Sequence, residues 1–288
     1  MTARLARAKV NLCLHVVGQR PDGYHRLESL VVFPELGDLL HAEESRVLSL
    51  ALDGPFGVEL DAGADNLVLQ AALALADHCP TPPGAALHLD KRLPVASGIG
   101  GGSADAAAAL RLLSDLWRLD LPRAKLAEIA LDLGADVPVC LESLPVMMEG
   151  VGDDLSPAPA MPEFWMVLVN PGVGVATPEV FRSLSERRNP SLPARPERFD
   201  ALDDLIEWLA LTRNDLQPPA QMLRPVISEV LDAVRSRAGC RFARMSGSGA
   251  TCFGLFEREN SALDAASELR LSEPEWWVAA APVLASRA

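Results

Sequence analysis

The sequence has few cysteines and no long apolar run, and each shortage excludes a class of protein. Its five cysteines are scattered, odd in number and never spaced C-x-x-C. The pattern therefore predicts neither a disulfide framework nor a zinc site, and it favours a reducing compartment. No segment approaches the roughly 18 uninterrupted apolar residues of a membrane-spanning helix, and the N-terminal residues lack the apolar core of a signal peptide. We expect a cytoplasmic protein with no membrane partner.

Lysine is also scarce, and the chain is acidic. The net charge is −13, and the 26 basic residues include only Lys9, Lys91 and Lys125 as lysines. Because nucleic acids require a basic face, this balance argues against a nucleic-acid partner. Lys9 and Lys91 lie at motifs described below. Lys125 falls in a plain helical pattern and is interpreted as a surface charge.

The composition is that of a folded globular protein. Hydrophobic residues make up 49% and charged residues 23% of the 288 residues, enough for one large or two moderate domains. A Gly-, Asp- and Pro-rich segment at 150–162 predicts a domain boundary, and a proline-bearing polar segment at 185–200 predicts a mobile surface loop. Apolar periodicity predicts strands at 6–16, 31–33, 38–42, 47–52, 85–90, 164–170, 252–256 and 276–283, and helices at 66–79, 123–133, 203–211, 225–237 and 261–269. Thr177 as N-cap and Pro178 at N1 predict one more helix start.

The most informative segment is the glycine-rich stretch at 93–110, where four glycines and two serines precede a strong helix former. The first N–H groups of a helix lack internal partners and favour negative charge, and glycine lets a bulky anion approach the backbone. The pattern therefore predicts a phosphate-binding loop. No lysine follows the glycines as in a Walker A loop, and Ser103 stands where a Rossmann fingerprint has its third glycine.

The alternative for this stretch is an ordinary flexible turn in front of an alanine-rich helix. The helix argues for a rigid, buried element instead, since one apolar stripe runs along it: Ala106, Leu110, Leu113 and Trp117. Asp105 lies in its first turn, where it suits the helix dipole but would repel a phosphate unless a cation lies between them.

Two segments near the N-terminus carry further candidates. Strict alternation over 6–16 predicts a strand with one buried face and places Lys9 and Asn11 on the other, which is either functional or a solvent-facing edge. A Pro-Asp-Gly turn at 21–23 leads into Tyr24, the single tyrosine, beside His25. These two rings are suited to hold a planar base, although Tyr24 is equally able to cap a core.

Two later segments are ambiguous by themselves. Asp136 follows a helix end at Gly134 and precedes Pro138, where a carboxylate among apolar residues needs partners; the alternative is a simple turn residue. A second glycine-rich turn at 245–251 runs into a strand and is, alone, typical of ordinary strand entry.

Three separated motifs, at 8–12, 93–106 and 246–250, resemble in order the three signatures of the GHMP small-molecule kinases. The strings at 20–25 (R-P-D-G-Y-H), 133–138 and 213–216 are similar to those of one branch of that family. The resemblance runs nearly end to end and is weakest at 185–200 and in the final strand, and Ser97 departs from the expected Gly or Ala. It implies an α+β fold with an N-terminal ribosomal-S5-like lobe (1–156), a C-terminal ferredoxin-like lobe (157–288) and an active site in the cleft between them.

The resemblance also implies an activity and its residues. The branch phosphorylates, with ATP and Mg²⁺, the 2-hydroxyl of the methylerythritol moiety of a cytidine diphosphate conjugate in non-mevalonate isoprenoid synthesis. It implies catalytic roles for Lys9 and Asp136 and no particular metal ligand. The implied ATP-binding residues are Asn66, Lys91, Pro94, Val95, Ala96, Ser97, Gly98, Ile99, Gly100, Gly101, Gly102, Ser103, Ala104, Ser246, Gly247, Ser248 and Gly249. The implied substrate-binding residues are Asn11, Tyr24, His25, Thr177 and Phe181.

Other functions remain open on the sequence. The chain is a candidate for another GHMP kinase that acts on mevalonate, homoserine or a sugar, or for a non-catalytic nucleotide-binding protein, against which the intact Lys9 and Asp136 argue. An RNA-binding module is disfavoured by the charge of −13. We expect a small-molecule substrate as the main partner and a monomer or weak homodimer.

Overall fold

The computed structural model describes residues 2–79 and 84–285, and these residues form two compact units. The first unit comprises the chain up to Ala8, Leu36–Val95 and Gly100–Ser143. The second comprises Lys9–Glu35, Ala96–Ile99 and the chain from Leu144 onward. Because the chain alternates between the units, they do not coincide with the predicted division after Ser156.

The first unit is built on a four-stranded sheet. Its strand order is β1 (Thr2–Arg7), β5 (Gly37–Ser45), β7 (Gly84–Asp90) and β6 (Ser49–Asp53). The pairs are antiparallel except β6 with β7, which is parallel. The helices of this unit are α1 (Leu67–Ala76), α2 (Gly101–Leu116), α3 (Arg123–Leu133) and α4 (Val137–Glu142).

Helix α2 is the central element of the first unit. Its predicted apolar stripe is confirmed at Ala106, Leu110 and Leu113, which are fully buried, whereas the fourth predicted member, Trp117, is the C-cap residue and is only half-buried. Its alanines are small enough for close packing on several sides at once, and α2 contacts α1, α3, α4, β1 and β5. The helix start is therefore held in a fixed position.

The second unit contains two sheets. In the first of them, β4 (His25–Val32) pairs with β2 (Val10–Asn11), β3 (His15–Gln19) and β8 (Val146–Gly150), and β8 pairs with β9 (Asp154–Pro157). Strand β9 lies inside the segment that composition predicted to be a boundary. The segment is Gly-, Asp- and Pro-rich because it contains a turn between paired strands.

The other sheet has the order β11 (Phe242–Met245), β12 (Cys252–Phe256), β10 (Phe164–Asn170) and β13 (Trp277–Val283). Helices α5 (Thr177–Arg182), α6 (Leu202–Ala210), α7 (Gln217–Leu223) and α8 (Val226–Arg235) follow β10, and α9 (Glu259–Ser272) follows β12. The succession β10, α8, β11, β12, α9, β13 in an antiparallel sheet is the ferredoxin-like topology implied for the C-terminal part.

The predicted continuous strand at 6–16 is wrong. The chain leaves β1 at Arg7, passes from the first unit to the second after Ala8, and resumes as β2 and β3. Lys9 and Asn11 are 4% and 2% exposed, so the solvent-facing alternative for their face is also wrong. A strand with alternating apolar and polar residues has one buried face or two. The pattern alone does not show whether the polar face is buried as well.

Smaller differences concern helix ends. Ala176, rather than Thr177, is the N-cap of α5. Gly134 ends α3 as predicted but in an extended conformation, with φ 160°. Helices α4 and α7 were not predicted, because six or seven residues span too few turns to show a helical period. Among the described residues, no helix is long and apolar enough to cross a bilayer.

The loop at 185–200 contains no helix or strand, as expected, but many hydrogen bonds hold it. The Glu28 carboxylate accepts from Ser191 Oγ at 2.9 Å and Leu192 N at 2.7 Å. Asn189 Nδ2 donates to Val16 O, and Trp208 Nε1 donates to Ala194 O. This loop is thereby fastened to other parts of the second unit.

Candidate active site

The glycine-rich stretch opens helix α2 in the first unit. Gly100 precedes the helix with φ 64°, a left-handed conformation that glycine adopts without strain. It has no side chain to cap the helix, so the N–H groups of Gly101, Gly102 and Ser103 have neither helical nor N-cap acceptors. Ser103 and Gly101 are half-buried, and Gly102 is exposed. Such an uncapped start is suited to an anion.

A buried ion cluster lies at the start of the same helix. The Lys91 ammonium is 2% exposed and donates to Asp38 Oδ2 and, at 2.8 Å, to Asp105 Oδ2. Burial acts to lower the pKa of Lys91, but the Asp105 and Asp38 carboxylates outweigh it and raise the pKa. Lys91 was implied to flank the adenine. Its charge is instead bound by these two carboxylates, and a contact with ATP remains a prediction.

The two aspartates of this cluster differ in their surroundings. Asp38 Oδ1 accepts from the backbone N–H groups of Arg92 and Leu93 at 2.6 and 2.8 Å. Asp105 Oδ1 is buried without a hydrogen-bond partner among the described residues. Burial raises the pKa of Asp105 to about 7, Lys91 opposes the rise, and Asp38 adds to it. The sequence predicted that Asp105 would repel a phosphate unless a cation lay between them, and the structure places the Lys91 ammonium 2.8 Å from Asp105 Oδ2.

In the second unit, Gly98 packs backbone against backbone with Gly247 and Gly249. A Cβ at Gly98 would lie 2.5 Å from Gly249 O, and one at Gly247 would lie 2.9 Å from Gly98 O. Thr251 N donates to Ser97 O at 3.1 Å. The turn at 246–250 is therefore fixed against residues 97–98, and glycine is required for that approach.

Ser246 links this turn to strand β2. Its hydroxyl, fully buried, accepts from Asn11 N at 3.1 Å and donates to Gly98 O at 3.2 Å. Asn11 Nδ2 donates to Ser29 Oγ at 2.7 Å. Lys9 N donates to Ile99 O at 2.8 Å, so the backbone of Lys9 runs beside the glycine-rich segment within this unit.

The string at 213–216 supports the same turn, a role that sequence reasoning missed. Asn214 Nδ2 donates to Met245 O and Gly247 O, both at 2.8 Å. Asp215 Oδ2 accepts from Val16 N at 2.7 Å. The resemblance had marked these residues without a role, and only the tertiary structure shows that Asn214 holds the glycine turn.

The candidate substrate residues form an aromatic pair in the second unit. His25 stacks on Phe181 with ring centroids 4.7 Å apart and an interplanar angle of 22°. Within the described ranges its buried Nε2 has no hydrogen-bond partner. Burial, aided by Arg187, lowers the pKa of His25 and keeps the ring neutral. Tyr24, the residue before His25, is 66% exposed.

The remaining predicted residues have the following positions. Thr177 Oγ1 lies 2.8 Å from Ser248 Oγ. Asn66 caps α1, since its Oδ1 accepts from Val68 N at 3.0 Å and its Nδ2 donates to Asp61 O at 2.9 Å. Asp136 is half-buried immediately before α4 in the first unit, whereas Lys9 belongs to the second. The roles of all these residues remain predictions.

No preformed metal site is found in the part of the chain that the structure describes. There, no group of three or more His, Cys, Asp or Glu side chains is placed to hold a metal ion. Mg²⁺ usually retains several waters and binds through substrate phosphates with one or two protein groups.

Known proteins resemble this chain over nearly its whole length. The family model for the GHMP kinases N terminal domain matches residues 66–143, and that for the GHMP kinases C terminal domain matches 190–273. A protein of Cereibacter sphaeroides named 4-diphosphocytidyl-2-C-methyl-D-erythritol kinase is 53% identical over 96% of this chain and 98% of its own length. The chain belongs to the 4-diphosphocytidyl-2-C-methyl-D-erythritol kinase family of GHMP kinases. The relationship confirms the kinase assignment made from the motifs.

Three further matches agree with this family or with its fold. A relative of the same name from Paramagnetospirillum magneticum is 51% identical, with 97% of both chains covered. A crystal structure of 4-(cytidine 5'-diphospho)-2C-methyl-D-erythritol kinase matches with a TM-score of 0.80 and 36% identity, over 97% of this chain and 98% of that one. Homoserine kinase from Cytophaga hutchinsonii matches at 17% identity and a TM-score of 0.65, over 97% and 93%, which shows the fold alone. The predicted α+β GHMP kinase fold is confirmed.

Proposed function

We propose that this kinase transfers the γ-phosphoryl group of ATP to the 2-hydroxyl of 4-diphosphocytidyl-2-C-methyl-D-erythritol. The observation that carries the proposal is the stacking of His25 on Phe181. The buried Nε2 of His25 has no hydrogen-bond partner among the described residues. A flat ring beside a neutral imidazole nitrogen is suited to a pyrimidine base, which needs both stacking and a hydrogen bond. The names of relatives that are more than half identical over nearly the full length support the same substrate.

The start of α2 binds the triphosphate on this proposal. The uncapped N–H groups of Gly101, Gly102 and Ser103 supply fixed dipoles, which need no reorganisation when charge develops on the transferred group. Ser246, Gly247 and Gly249 keep residues 97–98 in place through the contacts described above. The ordered backbone thus positions the nucleotide, which is most of what phosphoryl transfer requires.

Lys9 and Asp136 act on the acceptor hydroxyl in this proposal. The Lys9 ammonium neutralises charge on the transferred phosphoryl group. Asp136 orients the hydroxyl and accepts its proton late, as the new O–P bond forms and the bond to the ADP oxygen breaks. The products are ADP and the phosphate monoester. Mg²⁺, carried by the nucleotide phosphates, would supply further charge neutralisation.

A substrate panel tests the proposal. In a coupled assay for ADP, we expect turnover with the cytidine diphosphate conjugate and at least ~10²-fold lower kcat/KM with its cytidine-free analogue, because stacking and hydrogen bonding to the base are lost. Mevalonate, homoserine and galactose serve as acceptors for the alternative GHMP kinases. Comparable kcat/KM with the cytidine-free analogue, or higher values with one of these alcohols, would contradict the proposal. Nucleotide binding without turnover on any acceptor would instead indicate a non-catalytic protein.

The cellular compartment and the oligomeric state are part of the same proposal. A small-molecule metabolic kinase with scattered free cysteines fits the reducing cytoplasm. We propose that it acts there as a monomer or weak homodimer, which light scattering during size-exclusion chromatography measures directly.

A further inference from the structure

The start of helix α2 carries a charge imbalance. Lys91, Asp38 and Asp105 are 2%, 0% and 3% exposed, and they bring one ammonium group together with two carboxyl groups. If both carboxyl groups are ionised, this triad holds one excess negative charge. An uncompensated charge in a dry interior is costly, so a proton is the simplest way to remove it.

The surroundings of the triad offer little further compensation. Helix α1, packed against α2, carries no charged side chain. On the other neighbouring elements, Arg4 pairs with Asp115, Arg111 and Arg123 pair with Glu142, and Lys125 pairs with Glu128. The other charged or titratable groups on these elements are Arg7 on β1, His41, Glu43 and Glu44 on β5, Asp132 on α3, Cys140 on α4, and His88 and Asp90 on β7, which leads to Lys91. The strongest electrostatic influences on Asp105 come from Lys91 and Asp38.

Asp105 is the carboxyl group that takes the proton. Two backbone N–H groups stabilise Asp38 as an anion, whereas Asp105 Oδ1 has no hydrogen-bond partner in the described part of the chain. Hydrogen bonds to a carboxylate favour its charged form, and their absence favours the neutral form. The pKa of Asp105, raised by burial to about 7, agrees with this assignment.

The triad lies directly behind the amides that would hold the phosphates. Asp105 is two residues after Ser103 and is the fifth residue of α2, so it lies just beyond the first turn, in which the sequence pattern placed it. A Cβ at Gly101 would lie 3.0 Å from Lys91 Nζ, so the ammonium lies next to the first residue of α2. A negative charge buried so close to this helix start repels an incoming triphosphate more strongly than it would in water.

We propose that binding of a nucleoside triphosphate at the start of α2 is coupled to the uptake of one proton by the Lys91–Asp38–Asp105 triad. The inference rests on the proposed function, since it takes this helix start as the phosphate site. The proton comes from solvent and bonds to an Asp105 carboxylate oxygen, which leaves the triad neutral. Asp105 is a positioning residue, because it acts through the charge of the triad without touching the nucleotide.

Calorimetry of the full chain with a non-hydrolysable ATP analogue and Mg²⁺ tests the coupling. At about pH 7.5, the binding enthalpy is measured in phosphate and in Tris, whose different ionisation enthalpies report the protons exchanged. We compare the number of protons taken up per bound nucleotide. We expect this number to be larger for the wild-type protein than for the Asp105→Asn variant, by roughly half a proton or more. The affinity of the wild-type protein should fall as pH rises from about 6.5 to 8.5, by at most tenfold per unit for one proton. That of Asp105→Asn should change only with the ionisation of the analogue itself.

Two further variants make the result specific. Asp115→Asn removes an exposed carboxylate from the same helix and should exchange protons as the wild type does. Asp38→Asn keeps an oxygen for Arg92 N and Leu93 N but removes the excess charge, so it should abolish the extra proton even if Asp105→Asn fails to fold.

Failure of this inference is distinguishable from failure of the proposed function. If the analogue binds and the cytidine diphosphate conjugate is phosphorylated, but wild type and Asp105→Asn exchange equal numbers of protons, the inference alone is overturned. A wild-type affinity that is independent of pH, after correction for the analogue, overturns it without any variant. If the analogue does not bind the wild-type protein, both fall together.

Discussion

Lys9 and Asp136 are ordinary residue types whose proposed roles depend on position. A carboxylate is a weak base towards an alcohol, since a carboxyl group in water has a pKa of about 3.9. Its value to phosphoryl transfer lies in holding the hydroxyl in line and receiving the proton late. Lys9 is 4% exposed, so its ammonium acts where water screens its field only weakly.

Substitution of either residue should lower the catalytic rate while the protein still folds. We expect Asp136→Asn and Lys9→Met to lower kcat by at least ~10², because each removes a group that acts on the reacting atoms. The methionine keeps the apolar stem of the buried lysine, so the protein should still fold, and its Tm shows how much stability the loss of the ammonium costs. Steady-state kinetics and thermal melts measure both effects. Asp132→Asn, an exposed aspartate on the neighbouring helix α3, is the matched control; a folded Asp136→Asn protein with wild-type kcat would remove Asp136 from the mechanism.

Tyr24 tests base recognition at the same scale. Tyr24 is 66% exposed and precedes His25, which stacks on Phe181, so its ring is accessible for stacking. Tyr24→Ala should weaken binding of the cytidine diphosphate conjugate by about 1–3 kcal/mol, and Tyr24→Phe should retain it, because the ring face supplies the interaction. Substrate titration measures this, with the KM for ATP as internal reference. Equal losses for both ligands would show that Tyr24 is structural.

At the scale of the elements, residues 97–98 and the turn at 246–250 approach closely because glycine has no Cβ atom. A Cβ at Gly98 would lie 2.5 Å from Gly249 O, a backbone atom that cannot rotate away, and Gly98 has φ +76°. Gly98→Ala should therefore reduce the free energy of unfolding by about 2 kcal/mol or more. Gly174→Ala, at a position with open space and no positive φ, should be nearly neutral. Urea denaturation compares the two, and equal stabilities would show that the loops separate at little cost.

The elements differ in how far sequence could predict them. Helix α3 at Arg123–Leu133 and strand β10 at Phe164–Asn170 have the predicted bounds, because a full apolar period and clear stop signals lie within each. The segment 6–16 was misjudged because its polar face is also buried. The sequence singled out the glycine stretch, the two lysines and His25, and their functional roles remain predictions. Their contacts were not predictable, since Asp38 and Lys91 are 53 residues apart and Gly98 and Ser246 are 148 apart.

At the scale of the molecule, arginine ties distant parts of the second unit together. The buried Arg244 guanidinium donates to Leu12 O at 2.9 Å, Leu209 O at 3.1 Å, Thr212 Oγ1 at 2.9 Å and Thr212 O at 2.8 Å. Burial lowers its pKa to about 10, so it stays protonated at neutral pH. A single side chain therefore joins β11 to the end of α6 and to the link between β2 and β3, which leads to Lys9 and Asn11.

Arg244→Lys should show that this tie depends on the shape of the guanidinium group and not on charge. One ammonium cannot reach all four acceptors, and each buried carbonyl left without a donor costs about 1–3 kcal/mol. We expect the free energy of unfolding to fall by roughly 3 kcal/mol or more. Arg235→Lys, half-exposed and paired with Asp232, keeps its charge at little cost and is the control, expected within about 0.5 kcal/mol of wild type. Urea denaturation followed by circular dichroism measures both; equal effects of the two substitutions would mean that charge alone holds these segments, with lysine an adequate substitute at position 244.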